Sequence, residues 1–296
     1  MILTPSKAVL SVAVLPVLIV LMPSSGASTQ RSEAQLSPGE LVKITVQNEL
    51  KSWDSADVHW KYLLDKEVDG KSETREVIET KSGLIDGLVA IQGKPLTRTQ
   101  QRDEIRRILR LSRNPEQQRK LDQNRRKDAQ QSRAFLQAIP DTFLFDYAGK
   151  SGDLVKLSFK PNPRFRVSSR EGKVLHEMAG EMYIDPRQKQ LVSISGQLLK
   201  DVKFGGGVLG HLEKGGQFSV RWTEVAPGNW EIADMTVNMR GKALLFKTIS
   251  IQHKEVHTKF ERVPADLTMA DAAALLVKQL PTIADELARA GQKSPA

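Results

Sequence analysis

The chain contains no cysteine. This excludes disulfides, thiolate metal sites and cysteine nucleophiles, and it removes the lipidated cysteine of a bacterial lipoprotein. Aromatic residues are scarce, at 5% of 296. Catalytic signatures are missing too. There is no Gly-x-Ser-x-Gly elbow, and His59, His176, His211, His253 and His257 have no serine partner in a recognisable triad. The glycine-rich run Phe204-Gly205-Gly206-Gly207, with Gly210-His211 and Lys214-Gly215-Gly216, lacks the Gly-Lys-Ser/Thr ending of a phosphate loop. It reads as a hairpin loop, with gating of a cavity as the alternative. Acidic pairs such as Asp54/Asp57 read as surface residues. The expectation is a non-enzyme with no cofactor.

Long apolar runs are absent except at residues 8–22, where Lys7 precedes an apolar run of fifteen residues interrupted by Pro16, and Pro23 and Ser25-Gly26-Ala27 follow. That run is shorter than the ~20 residues a membrane-spanning helix needs. Residues 1–27 therefore read as a secretory signal peptide cleaved after Ala27, with an uncleaved anchor as the alternative. The protein is expected to be exported, periplasmic or extracellular, and soluble after cleavage.

What the chain has in excess is positive charge, +9 overall. Residues 97–133 hold twelve Lys/Arg against five Asp/Glu, so one basic segment sits on a nearly neutral protein. A solvated helix explains such a run; docking on anionic headgroups through Arg102, Arg106, Arg107, Arg110, Arg125 and Arg126 is the functional alternative. No nucleic-acid-binding signature is present.

Residues 28–36 read as a flexible leader, 37–290 as one domain and 291–296 as a disordered tail. Ser37-Pro38-Gly39-Glu40 is a capping box, and Val42, Val46, Leu50 and Trp53 mark one helix face. Val58, Trp60, Tyr62 and Leu64 then alternate as in a strand, and Asp69-Gly70 suits a hairpin turn. Residues 73–80 and 84–91 complete a meander. A two-part helical insertion spans 97–139, split at Asn114-Pro115. Beyond it lie strand candidates at 143–147, 154–159, 174–178, 181–184, 191–199, 218–225, 230–239 and 243–257, with a turn at Arg240-Gly241-Lys242. Short links force antiparallel pairing. Thr268-Met269-Ala270-Asp271 starts a C-terminal helix that Pro281 kinks or restarts. The fold class is α+β: a curved antiparallel sheet, an incomplete barrel, with an N-terminal helix, the insertion and a C-terminal helix.

The segment Met178-Ala179-Gly180-Glu181-Met182-Tyr183-Ile184-Asp185-Pro186, followed by Gln190-Leu191-Val192-Ser193-Ile194, resembles a hairpin of the lipoprotein-carrier half-barrel superfamily. That superfamily includes the outer-membrane lipoprotein-sorting proteins (LolA- and LolB-like). The order of elements over 37–260 is similar as well. The resemblance implies an incomplete barrel that holds acyl chains or other apolar ligands under helices acting as a lid.

Trp60, Tyr62, Phe143, Phe145, Phe159, Phe218 and Trp222 are the candidate ligand-binding residues; a plain core is the other reading of the same pattern. His253, Glu255 and His257 share a face if their segment is a strand. The two histidines then lie ~13 Å apart at ~3.3 Å per residue, too far to share one ion. The leading function is binding and transport of an apolar ligand, a lipid or acyl chain. An envelope stress-sensing or scaffold module that binds a protein partner is the alternative, and a hydrolase with an unrecognised site is the third. N-terminal sequencing of protein recovered from the envelope is expected to begin at Ser28; full-length chain beginning at Met1 in a membrane fraction would refute the cleavage.

Overall fold

The computed structural model describes residues 36–54, 58–167, 169–207, 209–243 and 247–292. The expected signal peptide, the leader before Leu36 and the tail beyond 292 lie outside the described residues. Helix α1 (Pro38–Asp54) starts at the capping box: the Ser37 amide donates to Glu40 Oε2 at 2.9 Å, and the Glu40 amide donates to Ser37 Oγ at 3.3 Å. Strands β1 (His59–Val68), β2 (Lys71–Thr80) and β3 (Gly83–Ile91) form the meander, followed by a two-residue strand β4 (Lys94–Pro95). Asp69 and Gly70 both take positive φ, +49° and +77°, as a two-residue hairpin of the primed type requires.

The insertion divides at Asn114-Pro115 into α2 (Arg98–Ser112) and α3 (Pro115–Thr142). Asn114 caps α3 by accepting the Gln117 amide at 3.0 Å, and Pro115 takes the first helical position, where its missing N–H is no loss. Strands β5 (Phe143–Ser151) and β6 (Leu154–Pro161), helix α4 (Arg170–Leu175), and strands β7 (Met178–Asp185) and β8 (Gln190–Leu198) follow. Next come β9 (Val202–Phe204), β10 (Gly210–Leu212), β11 (Gln217–Ala226), β12 (Asn229–Ala243), β13 (Lys247–Val263) and α5 (Met269–Gln292).

Two expectations are corrected. The strand at 174–178 is replaced by α4, because Ser169 Oγ accepts the Gly172 amide at 2.9 Å and nucleates a short helix; β7 begins only at Met178. Arg240-Gly241-Lys242 is not a turn but part of β12, paired with β13 on one side and β10 on the other. Gly241 is needed there because a Cβ would stand 2.1 Å from the His211 carbonyl oxygen. The segment joining β12 to β13, at 244–246, lies outside the described residues. The strand expected over 243–257 is thus β13, which starts at Lys247 and runs on to Val263.

All strand pairs are antiparallel, in the order β4-β3-β2-β1-β13-β12-β11-β8-β7-β6-β5, with β10 and β9 attached beside β12. The sheet is curved and does not close into a barrel. Its two faces are covered by different helices. Following the register from Met182 through Ile194, Val220, Met235 and Glu255 leads to Lys66 on β1, whereas Ile78 pairs with Lys61, one residue out of phase. On the Met182 face, Val42 and Val46 of α1 and Leu136 and Ile139 of α3 bury against Leu157, Met182, Ile194 and Trp222. On the Ile78 face, Ile108 of α2 and Leu276 and Leu280 of α5 bury against Ile78, Ile85 and Val89.

The open edge of β3 is closed by side chains of α2. Glu104, buried, accepts the Leu88 amide at 2.6 Å, and Arg107 donates to the Asp86 carbonyl at 2.6 Å while gripping Glu104 at 2.7 Å. These bonds replace a missing neighbouring strand.

The strands β7 and β8 cross at Gly180 and Gly196 so closely that a Cβ on Gly180 would lie 1.9 Å from the Ser195 carbonyl oxygen, a backbone atom that cannot rotate away. Gly180→Ala is expected to destabilise the protein by about 3 kcal/mol in urea denaturation. Gly39→Ala, where a Cβ meets nothing within 4 Å, is neutral or stabilising in the same experiment.

Candidate functional site

Near its middle the sheet forks. The ladder between β12 and β13 runs from Ala243/Lys247 to Asp234/Val256 and stops there. Below that point β12 continues with β11 alone, from Ile232 to Asn229, while β13 continues with β1 alone, from His257 to Val263. A bulge in β13 at Lys259, which takes a positive φ of +55°, turns Phe260 toward β1. Phe260 stacks on Tyr62 with ring centroids 5.2 Å apart and meets Trp60 edge-on at 6.3 Å; His257 stacks on Tyr62 at 5.2 Å, nearly parallel.

Carboxylates ring these aromatics. Trp60 serves two of them: its amide donates to Glu79 Oε2 at 3.0 Å and its indole to Glu231. Burial raises Glu231 to about 7, and the charges of Glu79 and Glu49 add to the rise. Glu79 is raised as well, chiefly by burial. Burial, reinforced by Glu79, Glu231 and Glu255, holds the Tyr62 phenol far above its ordinary range, so it is a neutral donor. Glu49, from α1, is raised by burial but fully served, accepting from Gln190 Nε2 at 2.6 Å and Trp53 Nε1 at 3.1 Å.

Glu255 lies in the opposite environment. His253 Nε2 is 2.8 Å from its Oε1, Lys66 Nζ is 3.0 Å from the same atom, and His257 Nε2 is 3.5 Å from Oε2. Burial opposes ionisation there, yet the contacts with His257, Lys66 and His253 and the lysine charge bring Glu255 down to about 2. The three side chains share a face of β13, and the carboxylate fills the gap between the imidazoles. Among the described residues no group of three or more His, Cys, Asp or Glu has the geometry of a metal site.

Lys66 also borders a cavity of about 490 Å³ beneath α3. Leu84, Leu111, Leu121 and Met269 form its apolar wall; Lys66, Asp86, Gln118, Asp122, Asn124, Arg125 and Asp128 form its polar one. The Arg125 charge is felt at both Tyr62 and Glu79, which links the cavity electrostatically to the fork.

The aromatic residues singled out from sequence divide into two groups. Trp60 and Tyr62 sit at the fork. Phe143, Phe159 and Trp222 are buried in the core under α1 and α3, with Phe145 and Phe218 half-buried against it, and Phe143 and Phe159 are 4.7 Å apart. Among the arginines, Arg106 pairs with Asp103, Arg107 with Glu104 and Asp86, and Arg125 and Arg126 with Asp122; Arg102 and Arg110 have no ion pair among the described residues. Sequence reasoning missed Phe260, Glu79 and Glu231. Phe260 carried a faint signal, an aromatic next to a strand that already held Ile249 and Ile251. The two glutamates carried none, since each is an ordinary polar residue of a half-exposed strand.

Comparison with family models, with curated proteins and with solved structures returned no match. Chemically, the fork presents two carboxyls raised by burial, Glu231 and Glu79, and a neutral phenol beside an ionised Glu255, next to an apolar cavity with a mixed-charge rim.

Glu231 makes stability depend on pH in a definite direction. Its ordinary value is 4.5 and its folded value about 7, so between these the folded state keeps a proton that the unfolded chain has lost, and raising the pH across that window removes stability. Glu231→Gln is expected to be more stable than the parent at about pH 8, with the difference shrinking toward about pH 5, in urea denaturation. An identical difference at both values would refute the buried environment.

Proposed function

We propose that this protein is an exported, non-enzymatic binding protein for an apolar ligand, a lipid or acyl chain, in the manner of the lipoprotein-carrier half-barrels. The observation that carries the reading is the cavity beneath α3. Its leucine and methionine wall offers apolar contact to a chain, and its Lys66, Arg125 and Asp122 rim offers polar contact to a headgroup. A cavity of about 490 Å³ falls in the range of small-molecule sites, which combine apolar linings with a few placed polar groups. The open sheet supports the reading further, because an unclosed barrel can widen without breaking strand pairs. Phe159 and Trp222 are packed in the core with α1, whereas Phe143 and Phe145 border an open groove at the start of that helix.

A scaffold role is the second reading, and β5 favours it. That strand pairs with β6 on one side only, and Leu144 and Tyr147 are exposed on it, so a partner's strand could add to the sheet there.

Native mass spectrometry of gently purified protein separates the two. The carrier reading expects lipid adducts, and a fluorescent acyl probe that binds with about tenfold lower affinity to Leu121→Gln, since a leucine contact of ~1.5 kcal/mol is lost from the cavity wall. Leu121 is 47% exposed, so the substitution leaves the melting temperature unchanged. Consistently ligand-free protein that also fails to bind the probe would overturn the carrier reading.

A further inference from the structure

We infer that the outer face of α2 is a membrane-docking surface for the phosphate-bearing headgroups of an anionic bilayer. The inference rests on where the structure leaves positive charge unspent, and it does not depend on the ligand reading.

The basic segment divides sharply once it is folded. Arg107, Arg125 and Arg126 are committed to carboxylates within the protein. Arg98, Arg102, Arg106, Arg110 and Arg113 behave differently. At ~100° per residue they fall within an arc of about 120° on α2. That arc lies opposite Glu104, Ile108 and Leu111, the buried residues through which the helix docks. All five arginines are exposed. Only Arg106 has an acidic partner, Asp103, while Arg102 donates to the Arg98 carbonyl at 3.3 Å; the side chains of Arg98, Arg110 and Arg113 have no partner among the described residues.

Three of these arginines surround an open groove of about 610 Å³ whose floor includes half-buried Leu109 with Asn114 and Pro115. Cationic side chains around an apolar floor match the headgroup–acyl boundary of a bilayer, where long arginine stems lie along apolar groups and the guanidinium ions meet phosphates. Guanidinium also binds phosphate in a bidentate way that a simple point charge does not. A membrane is favoured over a compact acidic ligand because the stripe follows the whole length of the helix and converges on no single point. Docking would also place the ligand site well. Leu111, on the opposite side of α2, lines the cavity beneath α3, so a bilayer on the outer face lies about one helix diameter, ~10 Å, from it.

The test is co-sedimentation of the full chain with vesicles of phosphatidylglycerol and phosphatidylcholine, against vesicles of phosphatidylcholine alone, at low and high salt. The wild type is expected to bind the anionic vesicles only, and to lose binding at high salt. Replacing Arg98, Arg102, Arg110 and Arg113 together by glutamine is expected to weaken binding about tenfold or more, and the Arg110→Gln/Arg113→Gln pair by an intermediate factor. A control with the same loss of charge, at the exposed lysines Lys71, Lys81, Lys94 and Lys214, is expected to bind nearly as the wild type does. Thermal melting verifies that each variant is folded. Equal binding to neutral vesicles, an equal loss in the arginine and lysine variants, or tighter binding to a DNA duplex or to polyglutamate than to anionic vesicles would overturn the inference.

Discussion

An open sheet leaves backbone hydrogen-bonding groups at its margins, and this protein's architecture depends on how they are met. At the β3 margin two side chains of one helix do the work of a strand: the Glu104 carboxylate accepts a hydrogen bond from an amide and the Arg107 guanidinium donates one to a carbonyl. The pair is self-supporting, because each also binds the other. This arrangement fixes α2 against the sheet by polar as well as apolar contact. It thereby aims the opposite side of the helix at solvent, so the charge distribution of the outer surface follows from the need to close an edge.

The second constraint is that two faces of one sheet carry separate apolar clusters. Trp60, Tyr62 and Phe260, at the fork between β12 and β13, belong to neither cluster. Glu255, surrounded by donors, is held ionised, whereas Glu231, facing other carboxylates and an indole, is held protonated over much of the acid range. Two chemically identical side chains on adjacent strands thus differ by several units in acidity through their neighbours alone.

Legibility from the sequence followed the range of the interactions. Ser37 with Glu40, Asn114 with Pro115, and Asp69 with Gly70 act within four residues, and the capping box, the helix break and the hairpin turn they signal are present. The fold class followed from strand count and short links. Gly241 misled because glycine serves both turns and close strand contacts, and only the distant His211 carbonyl distinguishes the two uses. Val174 and Leu175 have strand-compatible side chains, but the hydroxyl of Ser169 decided their conformation. The fork was unreadable for a deeper reason. It joins β1, β2, β12 and β13, and a glutamate's burial depends on strands that the local pattern cannot place. Among the arginines, sequence supplied the total charge while tertiary contacts determined how much of it remains available.

The centre of the sheet joins β1, near the start of the described chain, to β13, near its end. A chain that stops short of β13 cannot complete that seam, because β1 then has an open flank and β12 lacks its outer neighbour. The polypeptide must remain unfinished until its last strand arrives, a high-contact-order assembly that folds slowly and exposes pairing edges while it waits. Any product truncated just before residue 247 would be left with two adhesive strand edges in place of a seam.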